Sequence, residues 1–445
     1  MAAKAGAEQE TATGPALLRS VTVVFDRLRS QAVRRLSWGI ADQAISSLTN
    51  FAVGIFVIHA LGAVQFGAFS LAYVTYGFVL NASRGLATDP LVVRFTGTDL
   101  PTWRRAVASC TGTATVVGLG GGAVALAAAA ALSGTAGAAF LALGLTLPGL
   151  LLQDSWRFAF FALGRGSQAF LNDVIWAVVL LPALLILRMT HHADVFWFVF
   201  VWGAAAAVGA AIGPWQAGVM PKPADIWSWV SQHRDLGWRY LAEGITSSGA
   251  NQMRAYGIGL ILGLATLGSV QASATLFGPM SILFLGISLV IIPEAARVLK
   301  RMPRRLPLFC MLVSGGLSVA GLVWGIILLV ALPRGFGNWL LGPIWRPTYP
   351  LVLPQMLFVV GWGANTGYAA GLHALGASRR SLRTAIFASA VYAFLALVGA
   401  ATGGASGTVY GSAVAGWISL LYGWWQLRAA MRESDVYPSP APSDP

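Results

Sequence analysis

Charged residues are scarce in this chain of 445 residues. Lys, Arg, Asp and Glu make up 10% of the sequence, 56% of the residues are hydrophobic, and the mean hydropathy is +0.69. Soluble domains carry roughly 25% charged residues, so this composition excludes a soluble globule for most of the chain. Apolar stretches of about 20 residues recur along it, the length that a helix needs to cross a membrane.

Cysteine and enzyme motifs are also scarce. The two cysteines, Cys110 and Cys310, lie in apolar stretches and are too few for a disulfide framework or a metal site. We find no phosphate-binding loop, no zinc motif and no sequence typical of a channel selectivity filter. The connections between apolar stretches are too short for a catalytic domain. The sequence therefore predicts neither an enzyme nor a protein with a metal or cofactor.

The net charge of +13 does not indicate nucleic acid, because the basic residues follow a topological pattern. Most Lys and Arg fall in the N-terminal segment, the C-terminal tail and every second connection, as at Arg104, Arg105 and Arg304. The basic residues of the opposite connections are only Arg188, Arg334 and Arg346. This asymmetry is the positive-inside pattern, and it predicts that both termini lie in the cytoplasm.

The second half of the chain repeats the first. The segment from Asp42 to Asn50 aligns with the segment from Glu243 to Asn251 at an offset of 201 positions, and Gly67 aligns with Gly268 at the same offset. An even number of predicted spans separates the two copies, so both run in the same direction. Matched polar residues in two apolar helices predict two lobes, related by a two-fold axis along the membrane normal, around a shared polar cavity.

We therefore predict an all-α polytopic membrane protein with twelve spans in two parallel-repeat six-helix lobes. The spans are at 37–61, 67–93, 106–132, 137–161, 168–188, 194–218, 238–263, 267–293, 306–332, 350–374, 382–401 and 405–427. The predicted units are a disordered segment with an amphipathic interfacial helix (1–36), the N-terminal lobe (37–218), a cytoplasmic linker (219–237), the C-terminal lobe (238–430) and a disordered tail (431–445). A solvated helix leading into the first span is the alternative within 1–36.

Polar residues form stripes on three of the predicted helices. In the seventh span the stripe consists of residues one turn apart: Glu243, Ser247, Asn251 and Arg254. The first span repeats this spacing with Asp42, Ser46 and Asn50. The second span carries Asn81 and Arg84, and the tenth span adds Asn365. An arginine at mid-membrane faces protein or water rather than lipid. Hydrogen bonding between helices explains the Ser and Asn stripes equally well.

Two alternatives remain open for the ionisable residues. Arg84 and Arg254 either bind a substrate or form ion pairs with Asp89, Asp42 or Glu243 that hold the halves together. Asp42 and Glu243 are either proton carriers or fixed counter-ions. For Asp154 with Arg157, and for Glu294 with Arg297, a local ion pair one turn apart is the better interpretation.

Two segments resemble a known family. The run from Leu61 to Ala72, with Leu61-Gly62, Phe66-Gly67 and Ser70-Leu71, and the segment from Gln153 to Arg165 resemble Wzx-type polysaccharide flippases of the multidrug/oligosaccharidyl-lipid/polysaccharide (MOP) exporter superfamily. The resemblance covers about residues 37–430. The twelve predicted spans do not include the two extra C-terminal spans of the lipid II flippase type, which favours the Wzx-like branch.

The resemblance implies a flippase of the cell membrane that moves a polyprenyl-pyrophosphate-linked oligosaccharide to the outer leaflet by alternating access, for surface polysaccharide synthesis. Its partners would be the lipid-linked glycan, membrane lipids and glycan-assembly enzymes. The implied site residues are Arg84 and Arg254 for the pyrophosphate, with Asn81, Asn251, Asn50 and Asn365 around them. The alternative on the same fold is a cation-coupled small-molecule exporter, which the two deep arginines disfavour. A non-transporting membrane scaffold and a polytopic enzyme remain as further alternatives.

Overall fold

The computed structural model describes residues 38, 41–43, 45–190 and 194–433, without the side chains of residues 243, 245–247, 285 and 289. The predicted interfacial helix within residues 1–36 lies outside the described residues. The first six helices are α1 (Ala41–Ala60), α2 (Ala63–Phe95), α3 (Leu100–Ala131), α4 (Gly134–Ala162), α5 (Gly166–Met189) and α6 (Val195–Ala217). A short helix, Ile226–Gln232, lies in the linker.

The second half repeats this order. Its helices are α7 (Arg234–Leu262), α8 in two segments (Leu264–Leu276 and Gly278–Arg301), α9 (Leu306–Ala331) and α10 (Val352–Ala374). The run Ser378–Glu433 holds α11 (378–403) and α12 (405–433), which meet at Gly404, where φ is 61°. The positive φ favours glycine at this sharp connection. The outer connection between α9 and α10 includes the helix Phe336–Leu341.

The twelve-helix layout confirms the predicted fold class. Nine helices of the described chain are long and apolar enough to cross a membrane, counting the run Ser378–Glu433 once. The two that fall short are α7 and α10. They carry Arg254 and Asn365, and both line a cavity described below. The polar residues that α7 and α10 carry toward this cavity lower the mean hydropathy of the two helices.

Three details differ from the predicted spans. In α2 the helix widens to a π-helical turn at Arg84–Thr88, and α8 is interrupted at Phe277. The last helix continues to Glu433, beyond the predicted end of the lobe at residue 430, and Arg380 forms an ion pair with Glu433 there. The remaining residues of the predicted tail, 434–445, lie outside the described chain.

The lobes meet along a pseudo-two-fold axis at their outer end, the end with the α1–α2 and α7–α8 connections. A Cβ atom placed on Gly67 would lie 1.9 Å from the backbone oxygen of Leu264, and one placed on Gly268 would lie 2.2 Å from that of Ala63. These are equivalent positions, because Ala63 and Leu264 are also 201 residues apart. The repeat seen in the sequence is therefore a symmetric backbone contact between α2 and α8.

The symmetry is broken in the cytoplasmic half. A Cβ atom on Gly85 of α2 would lie 2.6 Å from the backbone nitrogen of Leu241 in α7, and Arg94 forms an ion pair with Asp235 at 2.6 Å. In the inner half of α8, by contrast, no described atom lies within 4 Å of a Cβ placed on Gly286. The lobes are therefore in contact along α2 and α7, but spread apart beside the inner half of α8.

The outer contact gives a direct test. Alanine at position 67 should destabilise the protein by about 1–3 kcal/mol, because a Cβ atom there overlaps the Leu264 carbonyl. Alanine at Gly77 of the same helix, where nothing lies within 4 Å, is the control; it should be neutral or stabilising by up to about 1 kcal/mol from helix propensity. Thermal unfolding of the two purified variants compares them, and equal midpoints would contradict the symmetric contact.

Candidate functional site

A buried network of charges lies in the N-terminal lobe, where α1, α4 and α5 meet. Arg157 of α4 is its centre. The guanidinium Nη2 contacts Asp42 Oδ2 at 2.6 Å, Nε lies 3.0 Å from Asp173 Oδ1, and Nη1 lies 3.4 Å from Asp154 Oδ1. The predicted local pair of Asp154 with Arg157 is therefore present, but the two shorter contacts of Arg157 are to other helices.

Arg84 joins the same network from α2. It binds Asp154 through two parallel bonds, from Nε to Oδ2 at 2.9 Å and from Nη2 to Oδ1 at 2.7 Å, and it lies 5.0 Å from the ring centre of Phe158. A bidentate pair of this kind fixes orientation as well as charge. The described ion pair of Arg84 therefore lies within the N-terminal lobe, to Asp154, and not to Asp89 or Asp42 as the alternative expected. The side chain of Glu243, the third expected partner, lies outside the described part of the structure.

Neutral groups complete the network only in part. Gln153 donates to Asp173 Oδ1 at 2.9 Å and to Asn172 Oδ1 at 3.1 Å. The second oxygens, Asp42 Oδ1 and Asp173 Oδ2, are buried and accept no hydrogen bond. Three carboxylates face two guanidinium groups, so the fully ionised network carries one excess negative charge.

A larger cavity lies inside the C-terminal lobe, between α7, α8, α10, α11 and α12. Its volume is about 770 Å³. Arg254 of α7 projects into it and is almost fully buried. Its Nη2 contacts the neutral oxygens of Asn251 at 3.4 Å and Gln271 at 3.3 Å, and its charged carbon lies 5.4 Å from the ring centre of Tyr392.

Arg254 forms no ion pair with any described side chain, and its buried Nε has no hydrogen-bond partner. The rest of the cavity offers neutral hydrogen-bonding groups and aromatic faces. They are Ser281, Ser288, Gln355, Trp362, Asn365, Thr366, Tyr368, Ser389, Tyr392, Ser412 and Ser419. Asn365 donates to the backbone oxygens of Gly361 and Gly416, while its own buried oxygen has no partner. Among the described residues, the cavity therefore combines one positive charge that has no ion-pair partner with several neutral polar groups.

The predicted site residues separate into groups. Arg254, Asn251 and Asn365 line the C-terminal cavity. Arg84 and Asn81 line a different cavity of about 410 Å³ between α2, α4 and α7. The matched stripes predicted that the two arginines share one cavity, but they line two different ones.

Asn50 lines neither cavity; its side chain donates to the backbone oxygen of Ser46 at 2.9 Å. The bond stays within α1, so it is not the hydrogen bond between helices that the alternative for the stripes predicted. Glu243 lies within α7, but its side chain is outside the described part of the structure. The local pair of Glu294 with Arg297 is confirmed at 2.7 Å.

Sequence reasoning missed Asp173, which lies next to Asn172 in an otherwise apolar helix. An aspartate next to an asparagine within a predicted span could have marked Asp173 as a residue that faces protein, because ionisable groups inside membranes rarely face lipid. Tyr392 and Gln271 were missed as neighbours of Arg254, and neither carries a distinctive sequence signal.

Comparison with known proteins identifies the fold. No protein-family model matches the sequence, and no curated protein matches it. An inward-facing multidrug resistance MATE family transporter of the MOP superfamily superposes with a TM-score of 0.67 at 14% identity, covering 87% of this chain and 96% of the other. The lipid II flippase MurJ, in an inward closed conformation, superposes at 0.64 with 11% identity, covering 88% and 87%.

The chain has the fold of the MOP superfamily transporters. An outward-facing MATE family structure superposes less well, at 0.57 with 15% identity over 92% of this chain and 96% of the other.

The charge network predicts a large effect of Arg157→Met. Removing one of two guanidinium groups leaves buried carboxylates uncompensated, which costs about 3–5 kcal/mol. The thermal midpoint of the purified variant should fall steeply, and a second change, Asp42→Asn, should recover part of the loss. Arg297→Met, in an exposed ion pair, is the control and should change stability by less than about 1 kcal/mol. An unchanged midpoint for Arg157→Met would show that the network does not stabilise the lobe.

Proposed function

We propose that this protein is a flippase of the cell membrane that moves an anionic lipid-linked oligosaccharide from the cytoplasmic to the outer leaflet. The observation that carries this proposal is Arg254, a buried guanidinium without a described counter-ion in a cavity of about 770 Å³. A charge at this depth is unfavourable unless an anion or water compensates it. A substrate with a phosphate group supplies that anion.

The remaining lining suits a sugar. Hydroxyl and amide groups such as those of Ser389, Thr366 and Asn365 exchange hydrogen bonds with sugar hydroxyls, and Trp362 and Tyr392 offer aromatic faces. Arginine binds phosphate oxygens through two bonds and keeps its charge when desolvated. The likeness in fold to the lipid II flippase MurJ supports the same class of substrate.

Arg84 has a smaller part in this proposal than the stripes predicted. Its charge is already compensated by Asp154, although its side chain is about one third exposed to a cavity. We assign to it a secondary contact with a head group that passes between the lobes, together with Asn81. The first binding contact is assigned to Arg254.

The charge network of the N-terminal lobe is proposed to couple transport to a proton gradient. A single proton shared between Asp42 and Asp173 would remove the excess negative charge and satisfy a free carboxylate oxygen. Its gain or loss would change how strongly α1 and α5 are held to Arg157. Glu243, the repeat equivalent of Asp42, is the corresponding candidate in the C-terminal lobe.

A small-molecule exporter is the second candidate, since multidrug transporters share the fold. Such a protein needs an uncompensated carboxylate toward its substrate cavity when the substrate is a cation. The described lining of the C-terminal cavity holds Arg254 and no acid. The two functions therefore differ in the sign of charge that the cavity accepts.

The substrate proposal is tested by flipping of a fluorescent undecaprenyl-diphosphate-linked oligosaccharide in proteoliposomes. Arg254→Gln should reduce transport about 10- to 100-fold, because a hydrogen bond to a charged group contributes about 1.5–3 kcal/mol. Arg254→Lys should keep part of the activity, and Arg297→Gln should behave like the original chain. Normal transport by Arg254→Gln, or transport of lipophilic cations in place of the lipid, would contradict the proposal.

The coupling proposal is tested in the same proteoliposomes under an imposed pH gradient. Asp42→Asn and Asp173→Asn should each abolish the acceleration of flipping by the gradient, because neither amide can exchange the shared proton. Glu243→Gln tests the C-terminal equivalent. Binding of the lipid substrate should stay unchanged, since neither aspartate lines the Arg254 cavity. Undiminished gradient-driven transport in both aspartate variants would exclude the network as the proton carrier.

A further inference from the structure

A third cavity lies at the outer half of the C-terminal lobe. It is a crevice of about 350 Å³ between α1, α8 and α9, closed at its outer end by the helix Phe336–Leu341. All its lining residues are apolar: Phe51, Leu276, Pro279, Trp324, Ile327, Leu328, Ala331, Phe336 and Leu340. The indole N–H of Trp324 donates to the backbone oxygen of Leu276 at 2.9 Å, so this group is already satisfied. The crevice therefore suits hydrocarbon only.

The crevice and the Arg254 cavity lie on the two sides of the interruption in α8. Phe277 and Ser281 line the Arg254 cavity, while Leu276 and Pro279 line the crevice. The two spaces are thus separated by a few residues of one helix.

Phe51 of α1 packs against this interruption. A Cβ atom on Gly278 would lie 2.7 Å from Phe51 Cδ2, so the ring fits against the backbone only because residue 278 has no side chain. Both lobes contribute to the boundary between the crevice and the polar cavity: Phe51 from the N-terminal lobe and the α8 interruption from the C-terminal lobe.

We propose that the crevice binds the polyisoprenoid chain of the substrate while its diphosphate is bound at Arg254. This assignment rests on the proposed function and adds the tail to it. An amphipathic substrate cannot place its head in a polar cavity unless its chain stays in apolar surroundings nearby, because exposing the chain to water is unfavourable. A crevice next to the cavity, lined only by apolar groups, meets that requirement.

Adjacency to the head-group cavity favours this occupant over a bulk phospholipid. A phospholipid acyl chain needs no adjoining cationic cavity. The Arg254 cavity and the crevice border the same interruption of α8, where Phe277 lines one space and Leu276 the other.

Two probes separate the head from the tail: inorganic diphosphate and undecaprenyl diphosphate, with binding to the full chain in lipid nanodiscs measured by native mass spectrometry. The prenylated probe should bind at least about tenfold more tightly than inorganic diphosphate, because it buries apolar surface. Ala331→Trp, which fills the crevice, should remove this advantage and leave inorganic diphosphate binding unchanged. Val319→Trp, on an exposed part of α9 outside the crevice, is the matched control and should keep the advantage.

Each outcome decides a different point. If the prenylated probe keeps its advantage in Ala331→Trp, the crevice is not the tail site, while the proposed function stands. If Arg254→Gln binds both probes as the original chain does, the head-group assignment fails, and the tail assignment fails with it. A diazirine in the undecaprenyl chain should crosslink to Trp324 or Leu328. Equal crosslinking by a diazirine phosphatidylglycerol would mean that the crevice holds bulk lipid only and would overturn the proposal.

Discussion

A guanidinium group buried among apolar helices must be compensated, and the two lobes do this in different ways. In the N-terminal lobe Arg84 and Arg157 form ion pairs with three aspartates of the chain. In the C-terminal lobe Arg254 contacts neutral side chains and an aromatic ring, and no described carboxylate. The same physical constraint is therefore met by an internal charge network in one lobe, whereas the charge of Arg254 in the other faces a cavity whose described lining holds no acid.

The two lobes have the same order of helices, but the contacts between them differ at the outer and inner ends. Gly67 and Gly268 make equivalent close contacts at the outer end, whereas in the inner half Gly85 of α2 is packed against α7 and Gly286 of α8 has open space around it. A structure closed outside and spread on one inner side has the asymmetry that alternating access requires. The interruption of α8 at Phe277 lies between the polar cavity and the apolar crevice, so a movement of this helix would affect both.

Much of this architecture follows from the sequence. Apolar run lengths predict the twelve helices, and the offset of 201 predicts that Gly67 and Gly268 hold equivalent positions in the two lobes. That these two positions meet each other was not predicted. One-turn spacing correctly places Asn251 and Arg254 on the same face of α7. Spacing within a helix does not specify which other helix that face meets. For this reason the pairs Arg84–Asp154 and Arg157–Asp173, which join different helices, were not predicted, and the two arginine stripes were assigned to one cavity although they line two. The π-helical turn of α2 also has no periodic signal.

The central claim is that the cavity around Arg254 binds the diphosphate of a lipid-linked substrate. A structure of the protein with undecaprenyl diphosphate in a nanodisc tests it most directly. The account predicts diphosphate oxygens at about 2.7–2.9 Å from the Arg254 guanidinium, the usual distance of a charge-assisted hydrogen bond. An Arg254 paired with Glu243, with the diphosphate bound elsewhere or absent, would contradict it.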